Sequence, residues 1–216
     1  MEWKDLDLKT YGQVYEITSN AFTSEEDKRF KVAALLNGIS YEELLEQPIA
    51  KTMEMMEATT FLFTRPKPEK IKREYTLNGR KYTPFKDFTE MQTNQYIDYQ
   101  AVIVERFEEH LIDLMYILLT PKGHTYNDGY DSEQVMTDLE TLSVTEALGL
   151  ADFFLKKYRR SLRRILLYSK AEIELTVLTA PKEMRKDLRE KAKQLNKEID
   201  ERLSMFGSLS LKQLLG

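Results

Sequence analysis

Apolar side chains recur at intervals of three and four residues through the middle of the chain, which is the repeat of an amphipathic α-helix. The stretch from Thr93 to Leu118 carries the clearest run, and Pro121 and Gly123 end it. Its regularly spaced apolar positions are Tyr96, Ile103, Phe107, Leu111, Leu114 and Leu118. Further apolar residues widen this stripe, so we expect packing on more than one side. The sequence predicts one long central helix, with a solvent-facing side formed by Glu105, Arg106, Glu108 and Glu109.

A second pair of long periodic segments follows it. One runs from Val144 to about Leu178, and the next begins at Pro181 and ends near Phe206. Because a short break separates them, they predict an antiparallel helical hairpin over residues 144–206, about 35 Å long. The segment after Gly207 is a short apolar tail that needs a partner surface.

The first 62 residues predict several short helices, separated by turn residues such as Asn37-Gly38 and Pro48. Residues 63–74 form a basic, proline-containing linker. Asn78-Gly79 then predicts a β-hairpin that brings Tyr75 close to Tyr82. A lone two-stranded ribbon is marginal in water, so this hairpin must pack on helices or pair with another chain.

These elements together predict a mainly α fold, a helical bundle with one inserted β-hairpin and a long C-terminal antiparallel helical hairpin. The predicted parts are an N-terminal helical part (1–62), a linker with the hairpin (63–86), and a C-terminal helical part (87–216) with a short tail.

Composition narrows the classes of function. The 216 residues include no cysteine, which excludes disulfides and thiolate catalysis, and the net charge is only −4. No apolar leader and no run of 18 apolar residues occurs. We therefore expect a soluble protein, made in the cytoplasm, with no membrane partner.

Candidate chemistry is sparse. The loop HTYNDGYD offers Asn127, Asp128 and Asp131 as oxygen ligands, but it lacks the alternating donors and closing Glu of a calcium loop. We favour an Asx turn that leads into a helix cap at Asp131. His110 and His124 have no catalytic or metal-binding motif around them, so we interpret them as surface residues. No nucleotide, zinc-protease or nucleophile-elbow motif occurs, and we expect no cofactor, no metal site and no enzyme activity.

A basic cluster lies in the first half of the predicted hairpin, where four residues share a broad stripe: Lys156, Arg160, Arg163 and Arg164. The plainest interpretation is a solvated helix face. Contact with an acidic protein surface comes next, and nucleic-acid binding is the least favoured of the three, because the chain as a whole is acidic.

The order of the segments resembles a known family. The chain reads YTLNGRKY at Tyr75–Tyr82, TNQYIDYQ at Thr93–Gln100, LLTPKG before the YNDGYD loop, and LSVTEALGLADFFL at the start of the hairpin. Over roughly residues 1–170 this resembles a loose family of structural and assembly proteins of tailed bacteriophages, especially those of Bacteroidetes hosts. The resemblance implies a non-enzymatic virion protein, either a ring, neck or tail subunit or a chaperone-like tail-assembly factor. It would be made in the host cytoplasm and built into the virion.

For such a protein we expect contacts with other phage structural proteins and with further copies of the chain. The residues that we expect to make them are Tyr75, Leu77 and Tyr82 in the β-hairpin, the four basic residues of the stripe, and Leu209, Leu211, Leu214 and Leu215 in the tail. The alternative is a cytoplasmic nucleic-acid-binding or regulatory helical protein that uses the stripe 156–164.

Overall fold

The computed structural model describes residues 1–85, 88–104 and 110–208. Within these ranges the chain forms nine α-helices and three short strands, and the predicted mainly α fold with an inserted β-hairpin is confirmed. In chain order the elements are α1 Leu8–Ser19, α2 Glu25–Leu36, α3 Tyr41–Leu45, α4 Ile49–Glu57, β1 Tyr75–Leu77, β2 Arg80–Pro84, α5 Thr93–Val104, α6 Leu111–Leu118, β3 Leu119–Pro121, α7 Ser132–Leu139, α8 Val144–Thr179 and α9 Arg185–Ser208.

The chain divides into two compact units. The first is Met1–Ala151, and the second begins at Asp152, so α8 starts in the first unit and continues in the second. No helix in the described ranges is long and apolar enough to cross a membrane.

The short helices α1, α2 and α3 each begin at a side-chain cap. Asp7 accepts a hydrogen bond from the Thr10 backbone N–H at 2.7 Å, and Ser24 caps α2 in the same way. Ser40 and Glu43 form a reciprocal capping box at α3. Helices α2 and α3 pack together through a small core. Its fully buried members are Ala33, Ala34 and Leu44.

The β-hairpin forms as predicted. Asn78 and Gly79 both have positive φ, 46° and 78°, as a two-residue primed turn requires, and Tyr75 pairs with Tyr82. A third strand, β3, pairs with β2 in antiparallel fashion, and the sheet order is β1-β2-β3. Sequence reasoning missed β3, because its three residues directly follow a helix and end in proline.

The prediction of a single central helix is wrong. The Gln95 side-chain amide donates to the Ile117 carbonyl at 2.6 Å, although the two residues are 22 positions apart. In one continuous helix they would lie about 33 Å from each other. The chain therefore reverses between α5 and α6, which pack against one another. The predicted solvent-facing side at 105–109 lies outside the described residues.

The segment 65–74, predicted to be a linker, is seated on the first turns of α8. The Glu69 backbone N–H donates to the Thr145 carbonyl at 2.9 Å, and the Thr145 hydroxyl donates to the Glu69 carboxylate at 2.9 Å. Lys72 forms an ion pair with Glu146. Gly149 makes this approach feasible, because a Cβ there would lie 2.1 Å from the Glu69 carbonyl oxygen. The segment thus belongs to the first unit.

The predicted C-terminal helical hairpin is present as α8 and α9. The two helices are antiparallel: Arg185 Nε donates to the Ala180 carbonyl at 2.8 Å near the turn, and Lys170 forms an ion pair with Asp200 further along the arms.

Candidate interaction surface

The second half of α8 has an inner face that lies toward α9. Along it, half-buried residues recur at intervals of four and three: Leu162, Leu166, Ser169, Ile173, Val177 and Ala180. The matching positions on α9 are Leu188, Ala192, Asn196 and Ile199. This three–four repeat of half-buried positions forms the seam of the hairpin.

The opposite side of α8 carries a second apolar stripe, which we call the outer face. It consists of Leu167, Tyr168, Ala171, Leu175 and Leu178. At 100° of rotation per residue these positions lie about 180° from the inner face. Their large side chains are 50%, 68%, 60% and 66% exposed in chain order. Nothing in the described part of the chain covers this face.

Charged residues border the outer face. Arg160, Arg163 and Arg164 are exposed, and among the described residues no carboxylate lies within ion-pair distance of any of them. Lys156, by contrast, forms an ion pair with Asp152. Of the four predicted basic residues, three thus have no carboxylate partner in the part of the chain that the structure describes.

A groove of about 880 Å³ opens along one flank of the hairpin. Glu174 and Leu178 of α8 line it together with Ala192 and Asn196 of α9. The side-chain oxygen of Asn196 is buried there with no hydrogen-bond donor in the described residues. The two helices are therefore not closely packed at this end, and the outer face borders an open flank.

The predicted contact residues of the β-hairpin are placed differently. Tyr75, Leu77 and Tyr82 are all buried, so their side chains belong to the core rather than to a partner-binding surface. The sequence left two possibilities for the β-hairpin, packing on helices or pairing with another chain. The hairpin packs on helices. Leu209, Leu211, Leu214 and Leu215 lie outside the described residues.

Asp138 on α7 holds the hairpin in place. Its fully buried carboxylate accepts hydrogen bonds from four side chains: the Tyr82 hydroxyl at 2.5 Å, Arg80 at 3.0 Å, Asn78 at 3.1 Å and Gln134 at 3.1 Å. Burial alone raises the pKa of Asp138, but these hydrogen bonds outweigh it and hold the pKa below its ordinary value. Sequence reasoning missed Asp138, because three of its four partners are 56 to 60 residues away.

The YNDGYD loop is a turn that leads into a helix cap, as favoured. Asp131 caps α7 by accepting from the backbone N–H groups of Glu133 and Gln134. Asn127 accepts from the Tyr116 hydroxyl at 2.7 Å, and Asp128 accepts from Thr125 at 3.2 Å. The candidate metal ligands thus already have protein partners. Over the described ranges, no three His, Asp or Glu side chains are grouped to hold a metal ion.

The two histidines also have neighbours of their own. His110 Nδ1 lies 3.1 Å from the Asp113 carboxylate, and the His124 ring packs edge-on against Tyr130. The outer face of α8, with its bordering arginines, is therefore the surface that we take as the candidate functional site. Comparison of the chain with protein-family models, with curated proteins and with solved structures finds no match.

Proposed function

We propose that this chain is a non-enzymatic structural or assembly protein of a tailed-phage particle, and that it acts through protein–protein contacts. The observation that carries the proposal is the outer face of α8, where four large apolar side chains are half or more exposed along about 17 Å of one helix. The sequence resemblance supplies the biological setting.

The energetics favour an occupied outer face. Fully burying one Leu or Tyr side chain is worth about 2 kcal/mol, so covering the exposed halves of four such side chains stabilises a contact by about 4 kcal/mol. Scattered apolar residues on a surface need no explanation, but a continuous stripe with charges at its border is typical of a contact surface. The bordering arginines would add electrostatic attraction to an acidic partner surface.

The proposal is tested in the phage that encodes the chain. We expect deletion of the gene to stop assembly of infectious particles, and a plasmid copy of the wild-type gene to restore it. Leu175→Glu places a charge in the centre of the outer face, and we expect it to lower the titre of infectious particles by at least about tenfold.

Thr176→Glu is the matched control. It introduces the same charge at the next exposed residue, about 100° around the helix and off the outer face. It should restore particles like the wild-type gene. If Leu175→Glu complements as well as Thr176→Glu does, the outer face has no role in assembly. If the deletion leaves particles intact, the proposed function is wrong.

The second candidate function is nucleic-acid binding, favoured by the three arginines that have no ion-pair partner within the described ranges. Three phosphate contacts would give a slope of about −2.7 for log affinity against log salt on duplex DNA. Failure to bind DNA or RNA at about 50 mM salt removes this alternative.

A further inference from the structure

We infer that a second copy of this chain occupies the outer face of α8, with the two α8 helices antiparallel around a twofold axis. The inference rests on the proposed function, because it names the partner of the same surface.

The spacing of the outer face is that of a two-helix seam. Within the outer face, Tyr168, Ala171, Leu175 and Leu178 are separated by three, four and three residues, and the bordering Arg164 continues this spacing four residues before Tyr168. This is the 3.5-residue repeat by which one helix keeps a stripe in contact with a partner helix. The inner face of α8 already uses such a repeat to pack on α9, so the helix carries two seams, and within the described residues only the inner one is covered.

An antiparallel partner fits the sizes of the side chains. When Tyr168 of one copy lies beside Ala171 of the other, a large side chain meets a small one on both sides of the axis. Arg164 then lies against Leu175 of the second copy and covers it with the aliphatic part of its side chain. A parallel partner in register would instead place Tyr168 on Tyr168 and Arg164 on Arg164, where like charges repel.

The charges favour the same arrangement. Arg160, Leu167 and Glu174 are seven residues apart and lie on one border of the outer face. In the antiparallel register, Arg160 of each copy meets Glu174 of the other, and the two Leu167 residues meet across the axis. Both charged side chains are exposed, and neither has an ion-pair partner among the described residues of its own chain. The two ion pairs would set the orientation more than the affinity.

One repulsive contact also follows from this register. Glu172, on the other border of the outer face, meets Glu172 of the second copy near the axis. Two neighbouring exposed carboxylates, Glu172 and Glu174, are therefore predicted to act in opposite directions on dimer formation. A general effect of net charge would move both in the same direction.

The association should be weak in dilute solution. A contact of about two heptads falls below the usual 1,200 Å² of a stable interface, so we expect a dissociation constant on the order of ten micromolar. Many copies held together in a particle would strengthen it through effective concentration.

The test measures the dimer dissociation constant of the full chain by sedimentation at several concentrations. We expect Glu174→Gln to raise the constant about threefold and Glu172→Gln to lower it. Reversal of either charge alone, Arg160→Glu or Glu174→Arg, should raise it at least about fivefold, and the double reversal should restore the wild-type value within about twofold. Thr176→Glu, which introduces a charge off the outer face, is the control.

The absence of cysteine from the chain allows an independent test. Leu167→Cys places one thiol beside the axis, and a short bis-maleimide should link two copies, whereas Thr176→Cys should remain unlinked. Equal linking of both variants, equal effects of the two Glu→Gln changes, or a monomer at all concentrations would overturn the inference.

These outcomes separate the inference from the proposed function. A monomeric chain whose Leu175→Glu variant still fails to complement has another partner at the outer face, so the inference fails and the proposed function stands. If the chain forms a dimer but its Leu175→Glu variant complements fully, the inference stands and the role of the outer face in the proposed function fails.

Discussion

The Asp138 carboxylate is fully buried in the first unit. A buried charge without partners is strongly unfavourable, but four donors surround this one and tie the turn of the β-hairpin to α7. Since its pKa is lowered in the folded chain, its contribution is fully present above the unfolded pKa of about 3.9 and is lost as the pH falls through the folded value.

Replacing Asp138 with Asn should therefore lower the free energy of unfolding by about 3 kcal/mol at pH 7, since the charged acceptor is removed from three neutral donors and Arg80. The deficit relative to the wild-type chain should shrink as the pH falls below the unfolded pKa of about 3.9 toward the lower pKa of the folded chain. Urea unfolding at pH 7 and at a pH below the unfolded pKa of about 3.9 measures this change.

Glu133→Gln, an exposed carboxylate on the same helix, is the control and should change stability by less than about 0.5 kcal/mol. An Asp138→Asn deficit that is equally large at both pH values would show that the charge of Asp138 does not matter.

Two helical glycines should respond in opposite directions to alanine. Gly149→Ala should destabilise the chain by about 3 kcal/mol, because the new Cβ would lie 2.1 Å from the Glu69 carbonyl oxygen and would displace the 65–74 segment. Gly12→Ala should stabilise it by about 0.5–1 kcal/mol, because nothing lies within 4 Å of that position on α1. Urea unfolding of both variants provides the comparison, and a neutral Gly149→Ala would mean that the segment is not seated on α8.

At the scale of elements, the sequence predicted those features that are encoded locally. Asn78-Gly79 specifies its turn through positive φ, and Pro181 separates α8 from α9, so the β-hairpin and the helical hairpin were predictable. The reversal between α5 and α6 was not, because apolar periodicity continues through two helices that both bury one side. The widened stripe at Leu111–Leu118 was the available signal: five of these residues are buried, and α6 is a core helix.

The candidate site was predictable only in part. The basic residues were identified, but the outer face of α8 was assigned to no surface, because one helix with two apolar faces looks in sequence like a single broad stripe. The aromatic residues of the β-hairpin were assigned to a partner surface, since sequence alone does not reveal that Asp138 and the helices would enclose them.

At the scale of the whole molecule, α8 changes character along its length. Its first turns are fully buried, at Ala147, Leu148, Leu150, Ala151 and Phe154, whereas most of its residues beyond Arg163 are exposed or half-buried. Local stability follows buried contacts, so the two ends of one helix should open with different free energies.

Amide hydrogen exchange should show this gradient. At a concentration low enough to keep the chain monomeric, amides of residues 148–154 should exchange at least about 100-fold more slowly than those of residues 172–179. Uniform protection along α8 would mean that the helix opens as one unit. Raising the concentration should protect residues 164–178 selectively if the outer face dimerises.

The contacts between the 65–74 segment and α8 also determine when the first unit can complete its folding during synthesis. Glu69 and Thr145 are 76 residues apart in sequence, and the start of the chain bonds to the same region through Leu8 and Leu142. The first unit therefore remains incomplete on the ribosome until the beginning of α8 has emerged, and such distant contacts form slowly. The outer face of α8 is translated after that point. All segments that complete the first unit are thus available for folding before the outer face, inferred above to bind a second copy, has been translated.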